Sequence, residues 1–208
     1  MRAFLFAFLA AAAAVAQPDP AARPPDSVVV AGVDDAPRRG TYAEASLGVF
    51  TAMGGTRPFS NGQPYLGLTL GRDLGARASV FASVAIGSAS ASCYQLGPGG
   101  NSCLGSDSFG LTFLELGFAY GFPIAPRTLL SLKVLGGFTD LSPGPVQRNG
   151  AVPDHVPGWH AGGGFALDYD TRLDHFGIGL DAVVRETFAR DSLRIPSLAV
   201  VPRIRYVF

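Results

Sequence analysis

Three histidines, two cysteines and a handful of carboxylates are the residues whose types could do chemistry in this chain. Hydrolysis by a nucleophile needs a hydroxyl and an imidazole within hydrogen-bond reach. His155 and His160 fall in "PDHVPGWH" and His175 in "TRLDHF", and no His-x-Ser pair lies on one strand face. His155 and His160 are expected near one set of loops and His175 at the opposite end, so a shared metal site is not expected. Asp168, Asp170 and Asp174 are spaced like calcium ligands, but the Gly and terminal Glu of an EF loop are missing, and a turn is the expected reading. "GPGGNS" has glycines without GxGxxG or Walker spacing, so no nucleotide site is expected. Cys93 and Cys103 flank "YQLGPGGNS" and are not arranged as CxxC. In an oxidising compartment they are expected to pair and pin that loop. No cofactor is expected.

These residues sit in a chain of unusual composition. Charged residues make up 15 % and hydrophobic ones 48 %, with 27 glycines and zero formal net charge. Ordinary soluble domains carry about 25 % charge. Low charge with high Gly suits a surface covered by lipid. No basic stretch suits nucleic acid.

The N-terminus "MRAFLFAFLAAAAAVAQ" has Arg2, an apolar run and the small-x-small site Ala14-Val15-Ala16. It reads as a secretory signal peptide over residues 1–16. The run is short for a spanning helix, which needs about 20 apolar residues, and no cysteine follows the site to carry a lipid. Residues 17–40, rich in Pro, Asp and Ala, read as a disordered lead-in in the periplasm.

From Thr41 the period is two. Strands are expected near 41–53, 64–72, 77–87, 109–122, 128–139, 159–169, 176–185 and through the C-terminal "RIPSLAVVPRIRYVF". Short connections ("DLGA", "PIAPR", "DTRLDH") alternate with longer ones near 54–63, 88–108, 140–158 and 186–195. No later stretch is apolar enough for a spanning helix, so a closed barrel is the remaining way to satisfy the backbone in lipid. The fold class is therefore all-β, an eight-stranded antiparallel up-and-down transmembrane barrel over 41–208, with both termini on the short-turn, periplasmic side.

A lipocalin-like barrel would turn the apolar face inward, leaving water to meet Gly, Ser and Ala with few charges, whereas soluble surfaces are far more charged. With the apolar face outward, Phe122, Tyr169, Phe176, Tyr206 and Phe208 form a girdle at the short-turn ends, and Trp159 and Phe138 mark the opposite interface. Small and polar residues then fill a lumen with room only for side chains. The inward set holds Glu44, Glu115, Lys133, Asp168, Asp181, Arg185, Arg203 and Arg205. They are expected to pair as a network that plugs the lumen, the alternative being an ion path. Pro202 cannot donate a ladder bond, so a bulge or local irregularity is expected there.

Residues 41–208, closing on the alternation Ile204, Tyr206, Phe208, resemble the small eight-stranded outer-membrane proteins of Gram-negative bacteria, the OmpA-transmembrane, OmpX and OmpW types. The resemblance implies that Ile204, Tyr206 and Phe208 are the signal read by the barrel-assembly machinery. It implies a monomeric barrel in outer-membrane lipid whose loops or lead-in bind envelope partners. Its alternatives are a narrow passive channel for small or apolar solutes and a lipid-modifying enzyme, since some such barrels are lipid A deacylases or palmitoyltransferases. The opening "RGTYAEASLGVFTAMGG", with Arg-rich and Lys-poor usage, is also similar to outer-membrane proteins linked to adventurous gliding motility in myxobacteria, which implies a motility complex as partner.

Overall fold

The computed structural model describes residues 39–53, 60, 62–90, 108–145, 153–173, 175–189 and 193–208. Cys93, Cys103, Asp174 and residues 1–38, on which the expected signal peptide and most of the expected lead-in fall, lie outside them.

Among the described residues eight strands follow one another without a helix between them: β1 (Thr41–Ala52), β2 (Gln63–Asp73), β3 (Ala78–Ser90), β4 (Ser108–Ala125), β5 (Thr128–Ser142), β6 (Val156–Asp170), β7 (Phe176–Ala189) and β8 (Arg194–Val207). Each pairs antiparallel with its neighbour in sequence, and β1 pairs with β8 to close the barrel. Closure leaves no strand edge unpaired, which is the condition for strands to survive in hydrocarbon. The ladder runs to the last residue, where the Phe208 N–H donates to the Thr41 carbonyl at 2.9 Å.

The period of two sorts side chains onto two faces. Outward point Leu47, Leu68, Val84, Leu116, Val134, Phe165, Leu180 and Ile204, all exposed. A monomeric soluble protein rarely exposes more than a few hundred Å² of contiguous apolar surface. Here the apolar surface encircles all eight strands, so hydrocarbon is its natural solvent. Aromatic residues bound it on both sides. Tyr120 packs on Phe122, and Tyr206 on Phe176 and Phe208, at the short-turn ends. At the other edge Trp159 stacks on Phe188 at 4.3 Å and pairs with Phe138 across β5–β6. From Trp159 to Tyr169 the strand rises by about 33 Å at ~3.3 Å per residue. A tilt of about 40° projects this to about 25 Å, the height of a membrane band.

One expectation needs correction. Three strands run further toward the long loops than the outward apolar pattern indicates: β5 continues to Ser142, β6 starts at Val156 and β7 continues to Ala189. There the polarity inverts. Phe109, Leu111 and Leu141 point inward and are buried, while Thr112, Asp140 and Glu186 take the outward positions. The lumen is accordingly not lined only by small and polar residues.

The local irregularity expected at Pro202 is present on one side of β8, without a bulge: the β1 position that the register sets opposite Pro202 is Leu47, which falls where the β1–β8 pairing lapses. The β7–β8 register passes Leu180↔Pro202 without a shift. On the other side the β1–β8 pairing lapses between Ser46↔Arg203 and Val49↔Val200 and resumes in the same register. Gly48 lies in that lapse. A Cβ there would stand only 2.7 Å from the Val201 Cα, so the two backbones close over the gap because Gly48 has no side chain. The register shift that does occur is at Pro123/Ala125, beside the β4–β5 turn.

Candidate functional site in the barrel interior

The interior is filled in three tiers, from the short turns upward.

The lowest tier is built on Arg203. From β8 its guanidinium reaches Glu44 on β1, Asp168 on β6 and Asp181 on β7, with Nε 2.7 Å from Asp181 Oδ1. Three carboxylates around one cation need further positive charge. Arg205 supplies it through Nε, 2.7 Å from Glu44 Oε1, and Lys133 through Nζ, 2.5 Å from Asp181 Oδ2. The Arg205 guanidinium also lies 4.1 Å from the Tyr42 ring centroid and reaches toward Asp73 at 3.9 Å. Gly179 leaves the room for this cluster. A Cβ there would stand 2.9 Å from both Arg203 Nε and Asp168 Oδ1.

The middle tier is built on Glu115 from β4. It accepts from Arg185 Nε at 2.5 Å and Nη2 at 3.2 Å, and from the Ser83 hydroxyl at 2.9 Å. Arg185 Nη2 also donates to the Tyr65 hydroxyl at 2.9 Å. The guanidinium lies between the Tyr65 and Phe113 rings, 5.4 and 5.2 Å from their centroids. His160 Nε2 is 3.3 Å from Glu115 Oε1, and its Nδ1 is 2.6 Å from the Thr139 hydroxyl.

The top tier is apolar. Phe50, Phe109, Leu111, Phe113, Leu141 and Ile195 are almost fully buried inside the long-loop half of the barrel. Phe50 stacks on Tyr65 at 6.1 Å and tilts onto Phe113 at 6.0 Å. The interior of this half is packed like a soluble core.

The structure thus brings Glu44, Asp168, Asp181, Lys133, Arg203 and Arg205 into one cluster and Glu115 and Arg185 into a second. The eight are equal in acids and bases, so they can be buried without net charge. Asp73, Tyr42, Tyr65, Ser83 and Thr139 also belong to these tiers and were not singled out in the sequence, and His160 joins them. The alternation that places Glu44 inward also places Tyr42 inward, which is the signal that could have found it.

His155 and His175 lie at opposite ends as expected, and His160 differs in its burial. His155 is exposed at the long-loop side, 2.7 Å from Asp140 Oδ2. His160 is no loop residue: β6 begins at Val156, so His160 is an inward strand position, 1 % exposed. His175 sits in the β6–β7 turn, with Nδ1 donating to the Val207 carbonyl at 2.5 Å.

Thr139, His160 and Glu115 stand in the order hydroxyl, imidazole, carboxylate. That order has hydrolytic precedent, but the group is sealed. Thr139 is 3 % exposed, and the cavity of about 30 Å³ that touches Glu115 and Arg185 is not lined by Thr139 or His160. It has room for a water or two, not for a substrate. Among the described residues no group of His, Cys, Asp and Glu could hold a metal ion. Ile204, Tyr206 and Phe208 face outward at the short-turn end.

No protein-family model matches the sequence, and no curated protein is similar to it. Solved structures share its shape. Neisserial surface protein A aligns over 81 % of this chain and 97 % of its own with a TM-score of 0.61 at 12 % identity. Ail, the attachment invasion locus protein of Yersinia pestis, aligns over 81 % of this chain and 100 % of its own at 12 % identity, with a TM-score of 0.47. The N-terminal β-barrel domain of Pseudomonas aeruginosa OprF covers 81 % of this chain and 98 % of its own at 12 % identity and 0.42. The first of these likenesses supports the fold, a closed eight-stranded antiparallel barrel.

Proposed function

We propose that this chain is a non-conducting, non-enzymatic outer-membrane barrel that serves as a structural and interaction component of the cell envelope, presenting its long loops and lead-in to partners. The observation that carries this reading is the filled interior. An ion crossing the barrel would have to break the Arg203 and Glu115 clusters and then dehydrate to pass the Phe50–Phe113 layer. Buried ion pairs resist the loss of a partner, and an apolar constriction expels water. The same filling leaves no chamber for a substrate, which weighs against a lipid-modifying enzyme acting from within the barrel. A monomer suits a barrel already closed by its own strands. A place in a gliding-motility complex rests on the sequence resemblance and gains nothing from the barrel's geometry.

Planar-bilayer recording on the reconstituted full chain tests this reading. No stepped conductance is expected in symmetric salt. Reproducible unitary steps would overturn it in favour of the passive channel.

A further inference from the structure

Charge and apolar side chains at the short turns combine in a way that neither the barrel nor its filling requires. The short-turn side exposes three large aliphatic residues below the aromatic girdle: Leu74 between β2 and β3, Ile124 at the end of β4 and Leu173 between β6 and β7, at 53, 57 and 69 %. In water such residues at turn tips bring no packing. Arginines flank them: Arg72 and Arg77 around Leu74, and Arg172 beside Leu173, all exposed and without an ion-pair partner among the described residues. Arg127 holds the middle turn by donating to the Thr171 carbonyl at 3.3 Å. Among the described residues the acids of this rim turn inward: Asp73 accepts from the Gly40 N–H at 3.2 Å and lies near Arg205, and Asp170 occupies an inward strand position. The opposite rim differs, since Asp140, Asp154 and Glu186 accompany Arg194 there.

From this juxtaposition we infer that the short-turn rim is a binding surface for anionic glycerophospholipid in the leaflet it meets. Leu74, Ile124 and Leu173 enter the acyl boundary while Arg72, Arg77 and Arg172 take headgroup phosphates. Guanidinium matches phosphate oxygens with paired donors, and its aliphatic stem lies along apolar surface while the head stays at the interface. The occupant is a lipid and not free phosphate because the cations come with aliphatic neighbours that a free ion would leave uncovered. The inference rests on the membrane-barrel reading.

The test is lipid retention. The full chain is folded into phosphatidylcholine nanodiscs containing a minority of phosphatidylglycerol, extracted gently, and its bound lipid is quantified. Severalfold enrichment of phosphatidylglycerol over its bulk share is expected for the wild type. The enrichment should fall to the bulk share in R72Q/R77Q/R172Q and persist in R194Q, a change at the opposite rim. Millimolar inorganic phosphate should not displace the lipid. Absence of enrichment, its retention in the triple variant, or displacement by phosphate would overturn the inference while leaving the barrel intact. Failure of the wild type to insert, seen as no heat-dependent shift on a gel, would instead sink the barrel reading and the inference with it.

Discussion

Arg185 on β7 and Glu115 on β4 meet across the barrel, with Nε 2.5 Å from Oε1, although 70 residues separate them in sequence. The pair links opposite walls between the charged lower tier and the apolar top tier. Replacing Glu115 by Ala leaves the Arg185 guanidinium buried without its carboxylate. Breaking a buried pair this way costs about 3–5 kcal/mol. The double change E115L/R185M removes both charges together and should recover most of that loss. Urea unfolding of the lipid-reconstituted barrel measures both, and equal loss in single and double variants would contradict the pairing.

Phe50 and Phe113 are both fully buried in the top tier. Truncating either to Ala should cost about 3–5 kcal/mol, the range for a large buried aromatic. The barrel should nevertheless stay closed to ions in F50A/F113A, because the Glu115 and Arg203 clusters lie beneath. Conductance in this variant would show that the apolar tier alone is the seal.

Gly137 on β5 packs against β4 so closely that a Cβ would stand 2.9 Å from the Leu114 carbonyl carbon and 3.0 Å from the Glu115 Cα. Both are backbone atoms and cannot rotate away. G137A should destabilise by about 1–3 kcal/mol, as overpacking does. Gly40 is the control: its Cβ would make ordinary contact, 3.5 Å from the Phe208 carbonyl oxygen. G40A should stay within about 0.5 kcal/mol of wild type. Equal effects of the two would remove close strand approach as the reason for Gly137.

The strand faces were legible because a period of two leaves only two choices, and a belt of Leu, Val and Ile can face only one medium. The alternation also shows which side each charge takes. Three things were not legible. The long-loop ends of β5, β6 and β7 were missed because polarity inverts there, and Leu141 breaks the rule that worked lower down. His160 was legible as a strand residue on the face opposite Trp159, but its burial was not, because Pro153 and Pro157 make the preceding residues look like loop although β6 has begun at Val156. The partners of Arg203 were not readable either. Its contact with Glu44 spans 159 residues and is set by barrel closure and register, which no local pattern encodes.

The central claim is that the outward apolar belt is solvated by lipid and bounded by aromatic residues. Trp159 is the single tryptophan of the chain and lies at the long-loop edge of that belt, pointing outward. The most direct measurement is therefore its fluorescence in vesicles of lipids brominated at graded acyl depths. Strong quenching by bromines near the headgroup, falling with depth toward the bilayer centre, is the predicted result. Emission from a water-exposed tryptophan, unaffected by bromine at any depth, would contradict the lipid-facing assignment.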